Sequence, residues 1–272
     1  MLRRHRLGVP AFLTTGVYLA ALAVSGVVAL AAGDLRALRW VTLFVAPDEG
    51  IQATWPNVLV LTLAGLVVAW GVWQSLRGPL AGPPVEQDRD TWRLRVALYV
   101  AAAATLANLI LGYWTLWAAV AVTTLPMVWV VHLLSPVVGR TRNRVLVLRC
   151  LGFVGYGGTA VALVPVLSGG EFDTLVLLPS LASLIWNVLV LRAQWDDDRW
   201  RQATVRYGIL ALVLPIVLTL VGSLRAVLSG VPWEAYDNAV VVVGVLVVVW
   251  LACSAHDLAT PRAAPAPSAP AH

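Results

Sequence analysis

Along the chain, apolar runs of about 20 residues recur with almost no charged side chain inside them, and a helix of that length matches the hydrocarbon thickness of a bilayer. The runs fall at about 9–32, 57–76, 94–112, 115–136, 145–167, 174–192, 206–227 and 238–254. A soluble fold needs charged outer faces on its helices. Here 60% of 272 residues are hydrophobic, 12% are charged and the mean hydropathy is +0.81, far from the composition of soluble domains. The period-two alternation of a membrane β-barrel is missing, which excludes that architecture. The sequence therefore predicts an all-α integral membrane protein, a bundle of about eight transmembrane helices.

Arginine supplies every Lys/Arg charge, and the arginines lie between the apolar runs. That placement reports orientation and gives no groove-facing surface for nucleic acid, because short arginine-rich loops stay in the cytoplasm. Arg3, Arg4 and Arg6 precede the first span; Arg77, Arg89, Arg93 and Arg95 follow the second; Arg140, Arg142, Arg144 and Arg149 follow the fourth. Arg192, Arg199, Arg201 and Arg206 follow the sixth and Arg262 the eighth, whereas the odd-numbered loops carry only Arg36, Arg39 and Arg225. An even span count and this asymmetry both predict cytoplasmic termini and a multi-pass protein of the inner (plasma) membrane. The N-terminus begins like a signal peptide, but its apolar core from Val9 to Leu30 is long enough to span and predicts a retained first helix. The domain organisation is then a basic segment at 1–8, one membrane domain at 9–256 and a disordered Ala/Pro-rich cytoplasmic tail at 257–272. "GYWT" at 112–115 predicts a tight hairpin, and "LRWVTLFVAP", too short to span, predicts an interfacial helix or a re-entrant piece.

Ionisable groups deep in a bilayer mark proton relays and voltage sensors, and this chain has essentially none. Arg149 and Arg225 lie within snorkelling reach of an interface. Two loops are acidic: "EQDRD", with Glu86, Asp88 and Asp90, and "QWDDDRW", with Asp196, Asp197 and Asp198. Carboxylates that bridge a diphosphate through Mg²⁺ are spaced along helix ends. These are adjacent or alternate and mixed with arginine, which predicts solvated, self-neutralising loops. Cys150 and Cys253 form no CxxC pair, so a thiol relay or cysteine-ligated metal has no support.

Tryptophan is the compositional extreme, with 13 residues. Trp40, Trp55, Trp92, Trp114, Trp195, Trp200 and Trp233 fall where an aromatic belt anchors helices. Trp70, Trp129 and Trp186 lie deeper, with Trp73 and Trp250 nearer the cytoplasmic end; they can wall a pocket for a flat apolar ligand or pack against helices and lipid. His132 sits about 6 Å from the Pro136 end of the fourth span, at headgroup level and on the same face as Trp129. Asn108, Tyr156, Ser183, Asn187 and Thr219 are the polar groups in the spans and predict interhelical hydrogen bonds. "GFVGYGG", Gly152 to Gly158, predicts close approach of another helix.

From about residue 47 to 192 the order of elements resembles the tryptophan-rich TspO/translocator family. "PDEGIQATW" places Pro47 ahead of Trp55 at the entrance to the second span, "LANLILGYWTLW" has an Asn followed by aromatics at a hairpin, and "LRCLGFVGYGGTAVA" is an aromatic, Gly-containing helix after a basic loop. The chain departs from the family in its glycine offset, in a displaced second Trp and in Gly157-Gly158, where the family has Gly-Trp. The resemblance implies binding of a tetrapyrrole or another hydrophobic ligand inside the bundle, lined by Trp70, Asn108 and Trp129; the placement of the residues themselves adds His132, Trp186 and Asn187 as further candidates for the ligand site. No catalytic residue and no cofactor can be assigned. Two other functions stay open: a permease or membrane subunit of a transport complex, and an intramembrane enzyme acting on an isoprenoid or lipid. The bilayer, a hydrophobic ligand, and a homo-oligomer or membrane complex are the expected partners.

Overall fold

The computed structural model describes residues 5–44, 53–81, 88–111, 116–167, 177–227 and 233–259. Among these residues the regular structure is helical without strands, apart from an isolated antiparallel bridge between His5 and Leu80. Each apolar run becomes a helical rod. α1 is Gly8–Ala32, α2 the short Arg36–Leu43, α3 Trp55–Leu76, α4 Arg89–Leu111 and α5 Leu116–Val138. The fifth run passes from α6, Arg142–Gly152, through a π turn, Phe153–Gly157, into α7, Gly158–Leu167. α8 is Leu177–Trp195, α9 Gln202–Val227 and α10 Trp233–Asp257.

Among the described residues, 6 helices are long and apolar enough to cross a membrane: Gly8–Ala32, Trp55–Leu76, Arg89–Ile110, Ala121–Val138, Arg142–Ala162 and Leu177–Trp195. α9 and α10 contribute shorter apolar stretches, Gln202–Leu218 and Val241–Asp257. The chain is thus built as a multi-pass membrane protein. α4 starts at Arg89, ahead of the apolar run, because its first turns carry Asp90 and Arg93, which pair as an i,i+3 couple and continue the helix past the hydrocarbon. The predicted hairpin at 112–115, Glu86, the residues beyond 259 and the side chains of Thr219, Arg225, Trp114 and Trp233 lie outside the described parts.

The stretch between Gly33 and Pro56 contains α2, which buries Leu38, Thr42 and Leu43 and exposes Trp40. Gly33, at φ +68°, turns the chain out of α1 in the left-handed conformation that glycine adopts without strain. Tyr18 then ties the two helices by donating from Oη to the Val41 carbonyl at 2.9 Å. Arg39, on the same helix, is only 5% exposed.

α10 is the central helix and packs against α3, α4 and α9. Its Val245, Val249 and Cys253 join a core with Leu22, Leu61 and Val68 from α1 and α3. Its Val248, Leu251, Ala252 and Ala255 join another with residues of α4, α5, α8 and α9, including Leu98, Leu134, Trp186 and Val205. Hydroxyls inside the spans bond to carbonyls of their own helices: Thr62 to Val58, Thr105 to Ala101, Ser135 to Val131 and Thr159 to Gly155. Each such bond removes a polar group that lipid cannot satisfy.

The "GFVGYGG" stretch makes the close approach its small residues predict. A Cβ added to Gly155 would lie 2.7 Å from the backbone N and Cα of Ser183 on α8, whereas one added to Gly157 would meet nothing within 4 Å. Gly155→Ala is therefore expected to lower the thermal stability of the purified protein by about 1–3 kcal/mol, the range for overpacking a closed contact. Gly157→Ala, in the same π turn, leaves stability unchanged or slightly raised, by under about 1 kcal/mol. Melting curves in detergent read both; equal losses would contradict the close contact.

Candidate functional site

A groove with a volume of about 440 Å³ opens among the ends of α5, α6 and α8. Val138 and Gly139 come from the end of α5, Asn143, Arg144, Val147 and Leu148 from α6, and Leu189, Arg192, Ala193 and Asp196 from α8. Its chemistry is graded along the helices. Arg144 and Arg192 lie at the ends of their helices; one turn inward, by about 4.5 Å at the α-helical rise, the walls are Val147, Leu148 and Leu189. Leu148 and Val190 beneath are core residues. Exposed Ile185 and Val188 carry the apolar surface further along α8.

The walls are held by hydrogen bonds from the adjoining turns. α5 passes to α6 through Gly139, where a Cβ would stand 2.8 Å from the Ser135 carbonyl oxygen and 2.5 Å from Val145 Cγ2. Thr141 caps α6, its Oγ1 accepting from Arg144 N at 3.4 Å. Across the groove, Arg140 Nη2 donates to the Asp196 carbonyl at 3.2 Å. Arg199 donates from Nη2 to the Val137 carbonyl at 2.7 Å and from Nε to Asp197 Oδ2 at 2.8 Å, with its guanidinium 4.9 Å from the Trp200 ring centre. A carbonyl at the end of α5, one of those a helix leaves without partners, is thereby bonded by the α8–α9 turn. The "DDDR" segment acts as a latch with internal charge pairing, and no group of three or more His, Cys, Asp or Glu suited to a metal ion occurs among the described residues.

The residues singled out from the sequence fall in separate places. Trp186 is wholly buried and stands edge-on to Tyr156, ring centres 5.5 Å apart at 87°. Asn187 joins the same group, donating from Nδ2 to Tyr156 Oη at 3.2 Å and to the Ser183 carbonyl at 2.8 Å. Trp70 sits on the other core, edge-on to Tyr207 of α9 at 5.3 Å. Asn108 of α4 has its Oδ1 buried without a hydrogen-bond partner among the described residues. Trp129, 41% exposed, and His132 are on the outer surface of α5. The structure joins Trp186 with Asn187 alone of these six, and none of the six lines the groove.

The groove's arginines were visible in the sequence only as orientation signals, and Asp196 only as part of an acidic loop. What marks them is spacing: Arg144 stands three residues before Val147, and Arg192 three after Leu189. A second, smaller cavity of about 70 Å³ lies where the start of α1 meets the ends of α3 and α10 and the start of α9. His5, Arg77, Arg201, Thr204, His256 and Asp257 line it. Asp257 Oδ2 accepts from Arg201 N at 3.0 Å and Thr204 Oγ1 at 2.6 Å, so the last residue of α10 caps the first turn of α9. The sequence signal for this cap is the "HD" pair closing the last apolar run.

Arg199→Ala removes the latch. The α8–α9 turn is then expected to exchange its amide protons about fivefold faster, the effect of losing roughly 1 kcal/mol of local stability. Hydrogen-exchange mass spectrometry of the 196–201 peptide checks this, and unchanged exchange there would contradict the latch. No family model, curated protein or solved structure matches the chain.

Proposed function

We propose that this is a protein of eight spans in the inner (plasma) membrane, with both termini in the cytoplasm, that binds a small hydrophobic ligand in the groove between α5, α6 and α8. The observation that carries the binding reading is the groove itself: about 440 Å³ with walls of Val138, Val147, Leu148 and Leu189, a volume within the range of small-molecule sites. The lack of deep ionisable groups in the spans agrees with a binding role better than with proton-coupled transport. The resemblance to the TspO/translocator family makes a tetrapyrrole the first ligand to test.

Two further facts support the topology. α9 and α10 have 26 and 25 helical residues, enough in length to span. His5 and Asp257 line one cavity with Arg77 and Arg201, so the arginine-rich connections on that side of the bundle converge. A C-terminal fluorescent fusion that folds only in the cytoplasm is expected to glow in intact cells; a dark but stable fusion would reverse the orientation.

The binding reading is tested with a porphyrin. Saturable quenching of tryptophan fluorescence is expected in the purified protein, and Ala193→Phe, which fills the groove, weakens it by about tenfold or more, one buried apolar contact or clash being worth about 1.4 kcal/mol or above. Absence of saturable quenching, or quenching indifferent to Ala193→Phe, overturns the groove as a porphyrin site.

A further inference from the structure

We infer that the groove between α5, α6 and α8 is a seat for an anionic phospholipid, its phosphate held between Arg144 and Arg192 and its chains laid along Val147, Leu148 and Leu189. This rests on the reading of the groove as the ligand site and names the class of ligand it selects.

The argument is one of matched gradients. A phospholipid is charged at one end and apolar over the rest of its length, and it stands in a leaflet with the charge at the surface. The groove repeats that order, with two guanidinium-bearing residues at the helix ends and aliphatic walls one turn deeper. Asn143 adds a neutral polar group at the same level. The charge balance also favours an anion: Arg144 and Arg192 face one carboxylate, Asp196, and neither forms an ion pair among the described residues. By contrast Arg199, nearby, is committed to Asp197 and to the Val137 carbonyl, and Arg140 bonds the Asp196 carbonyl. Guanidinium groups suit phosphate because their N–H fork bonds two oxygens at once. Basic pockets between helices at a cytoplasmic interface are well suited to acidic headgroups. On α8 the exposed Ile185, one turn inward of Leu189, and Val188 beside it continue the apolar path beyond the groove, giving the acyl chains further surface.

The test uses the full chain in mild detergent and native mass spectrometry with added phosphatidylglycerol, phosphatidylcholine or glycerol phosphate. The wild type is expected to retain phosphatidylglycerol at least about tenfold better than phosphatidylcholine, and the double variant Arg144→Gln/Arg192→Gln to lose that preference while melting at the same temperature. Arg36→Gln, whose partner is Asp34 beside α2, leaves the preference intact. Equal retention of the two lipids, or a preference that survives the double variant, overturns the proposal. Displacement of the lipid by glycerol phosphate at similar concentration also overturns it, assigning the arginines to a soluble phosphate. If headgroup preference is absent while Ala193→Phe still blocks porphyrin, the groove stands as a hydrophobic site and only the phospholipid assignment falls; if Ala193→Phe changes neither, both readings fall.

Discussion

A backbone amide or carbonyl in hydrocarbon has no water to bond, and leaving one unpaired costs several kcal/mol. That constraint forces the apolar runs into helices and determines what happens where a helix is interrupted. In the fifth rod the interruption is a π turn at Phe153–Gly157, in which the ladder is rewound without being opened. Thr159 donates to the Gly155 carbonyl there at 2.6 Å. Because Gly155 has no side chain, the backbone of α8 comes against the turn at Ser183. Tyr156 is then directed to Trp186 and Asn187. Rod five and α8 are held against each other at this point, and their other ends form two walls of the groove.

Lipid on one side and protein on the other leaves little hydrophobic gain in bringing apolar helices together, so association depends on close packing and a few buried polar bonds. α10 illustrates both. Gly208 of α9 lets Trp250 approach so closely that a Cβ there would stand 2.8 Å from the indole nitrogen, and that nitrogen donates to Gln194 Oε1 at 3.1 Å. Three helices, α8, α9 and α10, meet in one hydrogen bond and one glycine contact. At the end of the same helix Asp257 caps α9, so α10 is fixed to its neighbour at two heights.

Much of the fold was legible in the sequence, because bilayer thickness dictates run length and run length is read directly. The rods agree with the apolar runs to within a few residues, and differ most where charge extends a helix beyond the membrane, as at Arg89 of α4. "LRWVTLFVAP" contributes most of the amphipathic helix α2. The close approach at "GFVGYGG" was legible too, since small residues leave room for a backbone. The mixing of charges in "DDDR" pointed to internal pairing, and Asp197 with Arg199 is such a pair.

The orientation of the aromatic residues was not legible, for a physical reason. On a helix that is apolar all round, no polar face reports which side looks inward. Trp129 is 41% exposed while Val130 and Val131 beside it are fully buried, and nothing in "MVWVV" distinguishes them. Tryptophan content alone therefore cannot locate a pocket. Arginine is more informative, because its charge restricts it to the helix ends, and its neighbours one turn inward are then known to be within the apolar layer. What the sequence lacks is the adjacency of rods: Arg144 and Arg192 are 48 positions apart and share a groove because rod five, through both α6 and the π turn, packs on α8. The tryptophans that lie deep in the spans accordingly share no single role: Trp186 packs in the core beside α8 and Trp70 against the other core, while Trp129 stands on the outer surface of α5.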